Sequence, residues 1–285
     1  MSIAHVRTAF ERWHAAASAG LDLIDAVTSI TAPDCVVHLQ NGESGPRENA
    51  QAQSTQARAL YPDLSLEIEH VITGEDRLLV QLTMSGTPSL VFRIARGRRL
   101  FLANGAVIAR INDRAEIAEM WPYINPGAML VFPLRSHPPV PPLADSVPGT
   151  EENANAVARQ WMRATTGPEF LERILASALP ECIVHATNSD VGSTTLVEEH
   201  FRIIQSAFAD LTVSFEPGFV VGDRLIMQFT FDGTQRGWLG IAPPSGSRVQ
   251  STGAIVARVT NNERVQEMWV YLAPGMGLIF PRRDR

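Results

Sequence analysis

The stretch EDRLLVQLTMSGT (75–87) returns later in the chain as GDRLIMQFTFDGT (222–234). Further blocks recur in the same order: PDCVVH (33–38) as PECIVH (180–185), DLSLEIE (63–69) as DLTVSFE (210–216), NGAVIARI (104–111) as TGAIVARV (252–259), and EMWPYIN (119–125) as EMWVYLA (267–273). The offset is 147 as far as Thr234 and 148 from Thr252 onward, so one residue is inserted between them. The chain is therefore a two-copy duplication of a domain of roughly 135 residues, not a solenoid, whose periods run about 20–50 residues. Between the copies lies RSHPPVPPLADSVPG (135–149), with prolines at 138, 139, 141, 142 and 148. Such a run enters neither helix nor central strand and reads as a semi-rigid spacer. The expected division is a first domain at 1–134, a linker at 135–149 and a second domain at 150–285.

Each copy reads the same way from its start. Val6, Phe10, Trp13 and Ala17, and in the second copy Val157, Trp161 and Ala164, fall at helical spacing. Gly20 and Gly167 are expected to end these helices. A second short helix follows, LDLIDAVTSI (21–30) or PEFLERILASAL (168–179), and then a short apolar strand, CVVHL or CIVHA. A third helix is expected to begin at Pro46 and near Thr194. After Asp63 and Asp210 the pattern changes to alternation. The segments SLEIEHVIT, RLLVQLTM, LFLANGAVIARI and EIAEMWPYI read as strands joined by Gly-Asp, Asn-Asp and Asn-Asn turns. Helices followed by an antiparallel meander predict an α+β domain with helices on one face of a curved sheet.

Composition narrows the function. Net charge is −6, apolar residues make up 45% and charged residues 19%, as in a globular protein with a real core. No basic run offers a phosphate-backbone or anionic-membrane surface, and no apolar stretch approaches the roughly 18 residues that span a bilayer. The first residues lack a signal-peptide core, so the expected location is cytoplasmic. The two cysteines, Cys35 and Cys182, are repeat-equivalent and read as small buried thiols. No cysteine or histidine cluster has zinc spacing, so no metal is expected.

Alternation also sorts candidate site residues. Glu119, Trp121, Tyr123 and Asn125 share one strand face, as do Glu267, Trp269, Tyr271 and Ala273. An acid, an indole and a phenol together suit a pocket wall, or else cover a sheet face or interface. Gln81 and Gln228 sit on the second of these strand segments in each copy, and in the second copy Asp232 shares the face of Gln228. Asp232 is a candidate acid, or a turn residue before Gly233. His38 and His185 end the first strand, where an imidazole serves as acid or base or as a hydrogen-bonded structural residue. Asp63 and Asp210 read as turn residues. GTQRGWLGIAPPSGSRV (233–249) reads as a kinked hairpin whose Trp238 borders a pocket. Its counterpart carries Arg93, Arg96, Arg98 and Arg99, a charged sheet edge.

In this order and spacing, His185, the F-x-D-L turn (Phe208, Asp210), Gly222-Asp223, the glycine-rich hairpin and the final Glu-Met-Trp resemble the SnoaL-like polyketide cyclases of the NTF2-like superfamily. The first copy is similar but lacks the glycine hairpin. The resemblance implies two tandem cone-shaped α+β domains, arranged as a pseudo-dimer, each open to a flat hydrophobic substrate. It implies a cofactor-free cyclase or isomerase of natural product biosynthesis, with small-molecule partners and no nucleic acid or membrane. A further homodimer stays open. Cyclases of this family carry an acid/base Asp four residues after the last-strand Trp. Here Asn125 and Ala273 stand there, and neither exchanges a proton near neutral pH. Chemistry would then fall to His38, His185, Glu119, Glu267 or Asp232, with Trp121, Tyr123, Asn125, Trp269, Tyr271, Gln81, Gln228 and Trp238 binding substrate. The alternatives are a tandem polyether-type epoxide hydrolase/cyclase, which uses an Asp/Glu pair, and a non-catalytic binding or scaffolding protein.

Overall fold

In the computed structural model, residues 3–18, 26, 28–89, 101–125, 128–132, 146–162 and 167–272 are described. The chain divides into two compact units, Met1–Leu39 with Glu43–Pro126, and Gln40–Gly42 with Gly127–Arg285. In the first unit the elements are α1 (Ile3–Ser18), β1 (Thr31–His38), β2 (Ser44–Pro46), α2 (Glu48–Leu60), β3 (Ser65–Thr73), β4 (Arg77–Gly86), β5 (Phe101–Ile111) and β6 (Ile117–Tyr123). The second unit includes α3 (Ala128–Val131), α4 (Glu151–Trp161), α5 (Gly167–Ser177), β7 (Ala178–Ala186), β8 (Val191–Gly192), α6 (Thr194–Ala207), β9 (Thr212–Val221), β10 (Arg224–Thr234), β11 (Arg248–Val259) and β12 (Val265–Tyr271).

The two sheets have the same strand order, β2-β1-β6-β5-β4-β3 and β8-β7-β12-β11-β10-β9. The last four strands of each form the expected antiparallel meander. The first strand joins it beside the last, in parallel, with Val37 opposite Met120 and Val184 opposite Met268. The sheet is thus mixed, a pairing the alternation alone does not reveal. The expected α+β class, repeated in two units of helices and sheet, holds.

The helices follow from their stripes. Ala154, Val157 and Trp161 are buried along α4, and Thr150 and Asn153 cap its start with a reciprocal box. Trp161 is wholly buried, and its indole Nε1 donates to Ser177 Oγ at 2.9 Å, so the long apolar ring enters the core with its one polar atom satisfied. On α1, Val6 and Trp13 are buried as expected. Gly167 does not end the preceding helix; it opens α5, where Pro168 suits a first turn. Pro46 does not begin α2; it lies in β2 opposite Val36, and the helix starts at Glu48. A proline is tolerated there because β2 is an edge strand. Gly20, most of LDLIDAVTSI, Arg93 to Arg99 and most of the linker lie outside the described residues.

Asp63 and Asp210 brace the sheet rather than merely turning the chain. Asp63 Oδ1 accepts from the Thr87 N–H at 2.6 Å, and Asp210 Oδ1 accepts from the Thr234 N–H at 2.5 Å. Each ties the turn before β3 or β9 to the end of the neighbouring long strand. Among the described residues no helix is long and apolar enough to cross a membrane.

Candidate functional site

A cavity lies inside the second unit, between α5, α6 and one face of the sheet. Its walls include Phe170, Val184, Phe229, Phe231, Val270 and Leu272. Phe170 comes from α5, and the others from alternate positions of β7, β10 and the end of β12, so one strand face supplies the floor. Helix α6 supplies Leu196, Val197, His200, Phe201 and Ile204, the positions three and four apart that share a helix face. His200 is the one titratable side chain among the lining residues. Its ring stacks on Phe132, with centroids 4.3 Å apart and planes 18° apart. Phe132 is wholly buried, and its carbonyl accepts from Asn188 Nδ2 at 3.1 Å. The same Asn188 nitrogen donates to Asp190 Oδ2 at 2.8 Å. The space open to the centre of a water-sized sphere is about 20 Å³, whereas roughly 10–15 Å³ of such space holds one water.

The expected histidine and glutamate of each unit come together, but not on this cavity. His185 alternates with the lining residues Val184 and Ala186, and Trp269 and Tyr271 alternate with Val270 and Leu272. They therefore occupy the opposite face of the sheet. There His185 Nε2 pairs with Glu267 Oε1 at 3.0 Å, and Arg258 Nη1 donates to Glu267 Oε2 at 3.2 Å. The His185 and Trp269 rings stack at 4.8 Å, and the Arg224 guanidinium lies 5.5 Å from the same indole.

The first unit repeats the arrangement. His38 Nε2 pairs with Glu119 Oε1 at 2.9 Å, Arg110 Nε donates to Glu119 Oε2 at 2.8 Å, and His38 stacks on Trp121 at 4.7 Å. Arg77 lies 5.4 Å from Trp121. His38 has an extra partner, with Nδ1 2.9 Å from Ser44 Oγ. In both units the glutamate bonds across the parallel pair to the first strand and across the antiparallel pair to its other neighbour. Burial pushes the Glu119 and Glu267 carboxyls up, but the histidine and arginine hydrogen bonds outweigh it and hold both below the usual glutamate value.

The mixed acid–indole–phenol face is thus not the wall of the described cavity; the apolar face is. The physical reason is that the helices must bury the apolar face, and the cavity is the space they leave unfilled. Gln228 falls on the face opposite Phe229 and Phe231. In the first unit Gln81 alternates likewise with Leu82, and Tyr123 is buried at the end of β6. Asp232 sits near the end of β10, paired with Arg248 at 2.6 Å. Trp238 is 63% exposed in the loop after β10 and does not line the cavity. Asn125 is buried, two residues past the end of β6, where strand alternation no longer fixes its direction. Ala273 lies outside the described residues. His200 was missed by sequence reading. Its signal was present: it stands four residues from Leu196 and from Ile204, on the apolar stripe of α6.

Cys35 and Cys182 are buried free thiols, as expected. Among the described residues no group of three histidine, cysteine or acidic side chains is placed to hold a metal ion.

With this geometry in view, the sequence comparison decides the lineage: the profile described as SnoaL-like polyketide cyclase matches residues 8–130 and again 156–273. The chain belongs to the SnoaL-like polyketide cyclase family. No curated protein matches it. Similar solved structures include AclR of Streptomyces galilaeus, titled as a candidate hydroxylase, at 18% identity over 47% of this chain and 89% of that one, with a TM-score of 0.40. Another is a candidate SnoaL-like polyketide cyclase from Jannaschia sp. CCS1, at 21% identity over 45% and 90%, with a TM-score of 0.36. A third is wild-type IdmH of Streptomyces antibioticus, a candidate polyketide cyclase, at 22% identity over 41% and 88%, with a TM-score of 0.34.

Proposed function

We propose that this SnoaL-like chain closes or rearranges rings of a hydrophobic, polyketide-like intermediate without a cofactor, and that His200 moves the proton. The observation that carries this reading is the cavity under α6, walled by apolar side chains with a single imidazole among them. Its apolar wall and single polar group suit a flat apolar substrate, which enters as the lining side chains move apart, because the open space of about 20 Å³ admits little more than one water. Neutral His200 takes a proton from a carbon flanked by carbonyls. The resulting enolate adds to a second carbonyl, forming the carbon–carbon bond, and the alkoxide takes the proton back from the imidazolium. No net proton or electron is consumed. Holding the chain near its attack geometry supplies up to about 7–11 kcal/mol, and positioned acid–base transfer adds about 10²–10⁴-fold. The Asp/Glu pair of an epoxide-opening mechanism is not among the lining residues of this cavity.

The test is turnover of a linear poly-β-ketone analogue by the full chain and by His200→Gln. The expected result is a kcat lower by about 10²–10⁴-fold with KM little changed. Equal rates in the two proteins would exclude His200 as the proton carrier. A second reading, binding without conversion, is supported by Asn125 and Ala273, which stand where cyclases of this family carry the acid/base Asp and exchange no proton near neutral pH. It predicts saturable binding of the analogue and no product with either protein.

A further inference from the structure

We infer that Asn188 and Phe132 are positioning residues for His200, so that a turn following the first copy completes the site of the second. This rests on the reading that His200 moves the proton. By sequence, Phe132 comes after the first copy, whose last strand ends at Tyr123. By packing, it belongs to the second unit, where Val131 and Phe132 share a core cluster with Val184, Phe201 and Leu272. Phe132 closes the single helical turn α3, its N–H donating to Ala128 O at 2.8 Å. A carbonyl at a helix end has no partner within the helix. That of Phe132 lies in a wholly buried residue, and Asn188 supplies the donor it needs.

The anchor is itself held on every side. After β7 the chain reverses sharply: Ser189 N–H donates to Ala186 O at 3.0 Å, and Ala186 N–H to Asp190 O at 2.9 Å. Thr187 ties this reversal to the end of β12. Its hydroxyl donates to Val270 O at 2.8 Å and accepts from Leu272 N–H at 2.6 Å. Asn188 is wholly buried, and its Oδ1 accepts from the Asp190 N–H at 3.3 Å. Both Nδ2 hydrogens are used, one on Asp190 Oδ2 at 2.8 Å and one on Phe132 O at 3.1 Å. Turned the other way, the amide would face its oxygen to a carbonyl and a carboxylate, so its orientation is fixed. The anchored Phe132 ring then lies 4.3 Å from the His200 ring, with planes 18° apart. The second torsion of a histidine is broad and roughly two-fold, so the ring plane is set by what lies beside it. Phe132 supplies a face. Proton transfer needs its partners within about 2.6–3.2 Å, so the plane decides how often the imidazole is aimed to react.

The experiment is NMR of the full chain with ring-labelled histidine, beside turnover of the poly-β-ketone analogue. The chain has seven histidines, and His200→Gln identifies the signals of His200. Facing a phenyl ring, these should lie upfield of the values for a histidine with no aromatic neighbour. Asn188→Ala should move them toward those values and lower kcat by up to about 10²-fold, with KM little changed. Asn188→Ser keeps an acceptor for the Asp190 N–H but ends short of Phe132. It replaces the alanine variant if that misfolds by circular dichroism, and should act in the same direction. Ser177→Ala removes a buried hydrogen bond from Trp161 elsewhere in the core and should leave the His200 signals and kcat in place. If it moves them as far as the Asn188 variants do, the effect is general loosening and the inference falls. Unmoved His200 signals in a folded Asn188 variant overturn it, and so does a fall in kcat without that movement. Should wild type convert no analogue, the proposed function falls by itself. The His200 signals still decide whether Asn188 and Phe132 hold the ring.

Discussion

The Phe132 ring lies 4.3 Å from the His200 ring and nearly parallel to it. A residue that follows the last strand of the first copy thereby backs the one titratable group lining the second unit's cavity. Phe132 packs in the same core cluster as Trp161, Val184 and Leu272. Phe132→Ala should cost about 3–5 kcal/mol of stability, the usual range for a buried phenylalanine. Urea unfolding followed by fluorescence measures it. A loss below about 1 kcal/mol would mean that Phe132 does not pack as described.

Gly253 and Gly105 test the sheet floor. A Cβ on Gly253 would lie 2.3 Å from Phe229 Cζ and 2.8 Å from the Tyr271 carbonyl oxygen. On Gly105 the nearest atoms are Leu82 Cδ1 at 2.9 Å and Tyr123 O at 3.2 Å. Gly253→Ala should therefore destabilise by about 1–3 kcal/mol as an overpacked site, and Gly105→Ala by less. Adding Phe229→Leu to Gly253→Ala should recover part of the loss, because the carbonyl contact remains. Melting temperatures of the four proteins check the order.

The glutamate clips predict an acid limb. Glu119 and Glu267 are both held below the ordinary value of 4.5, so their unfolded forms bind protons more readily than the folded ones. Their stabilisation is fully present above that ordinary value and is lost as pH falls through it toward the depressed folded values. Glu267→Gln should lower stability at pH 7 by about 1–2 kcal/mol, since it removes the charge from two hydrogen bonds. It should also flatten the decline that sets in as pH falls through that ordinary value. Stability measured against pH for wild type and variant would show two parallel curves if the clip were inert.

The buried thiols should be silent. Burial pushes Cys35 up to about 11 and Cys182 up to about 12, with nearby carboxylates adding to the effect. Thiolate is the reactive form. A disulfide reagent at pH 8 should label neither cysteine in the folded chain and both in denaturant. Rapid labelling of either in the native protein would contradict its burial.

The duplication, the α+β order and the meander were legible because each is a local pattern: a repeat offset, a helical stripe, a two-residue alternation. The parallel seating of β1 against β6 was not, because alternation says which face a residue occupies and nothing about its neighbouring strand. The cavity was not legible for a related reason. Glu267, Trp269 and Tyr271 carry polar and aromatic chemistry that draws attention to their face, yet the helices must cover the apolar face, and the space they leave is lined by that face. His200 was hidden inside a stripe of leucine, valine and isoleucine. Asn125 stood beyond the strand end, where no periodicity points.

The same strand seating imposes an order of synthesis. Thr31 to His38 leave the ribosome long before Ile117 to Tyr123, their partners in the sheet. Until those residues emerge, the first strand has no parallel neighbour, and pairings so distant in sequence form slowly. The first unit is completed only when its last strand arrives, and the second repeats the wait from Ala178 to Val265. Through both intervals the nascent chain carries an unfinished apolar edge, the kind of surface on which chaperones act.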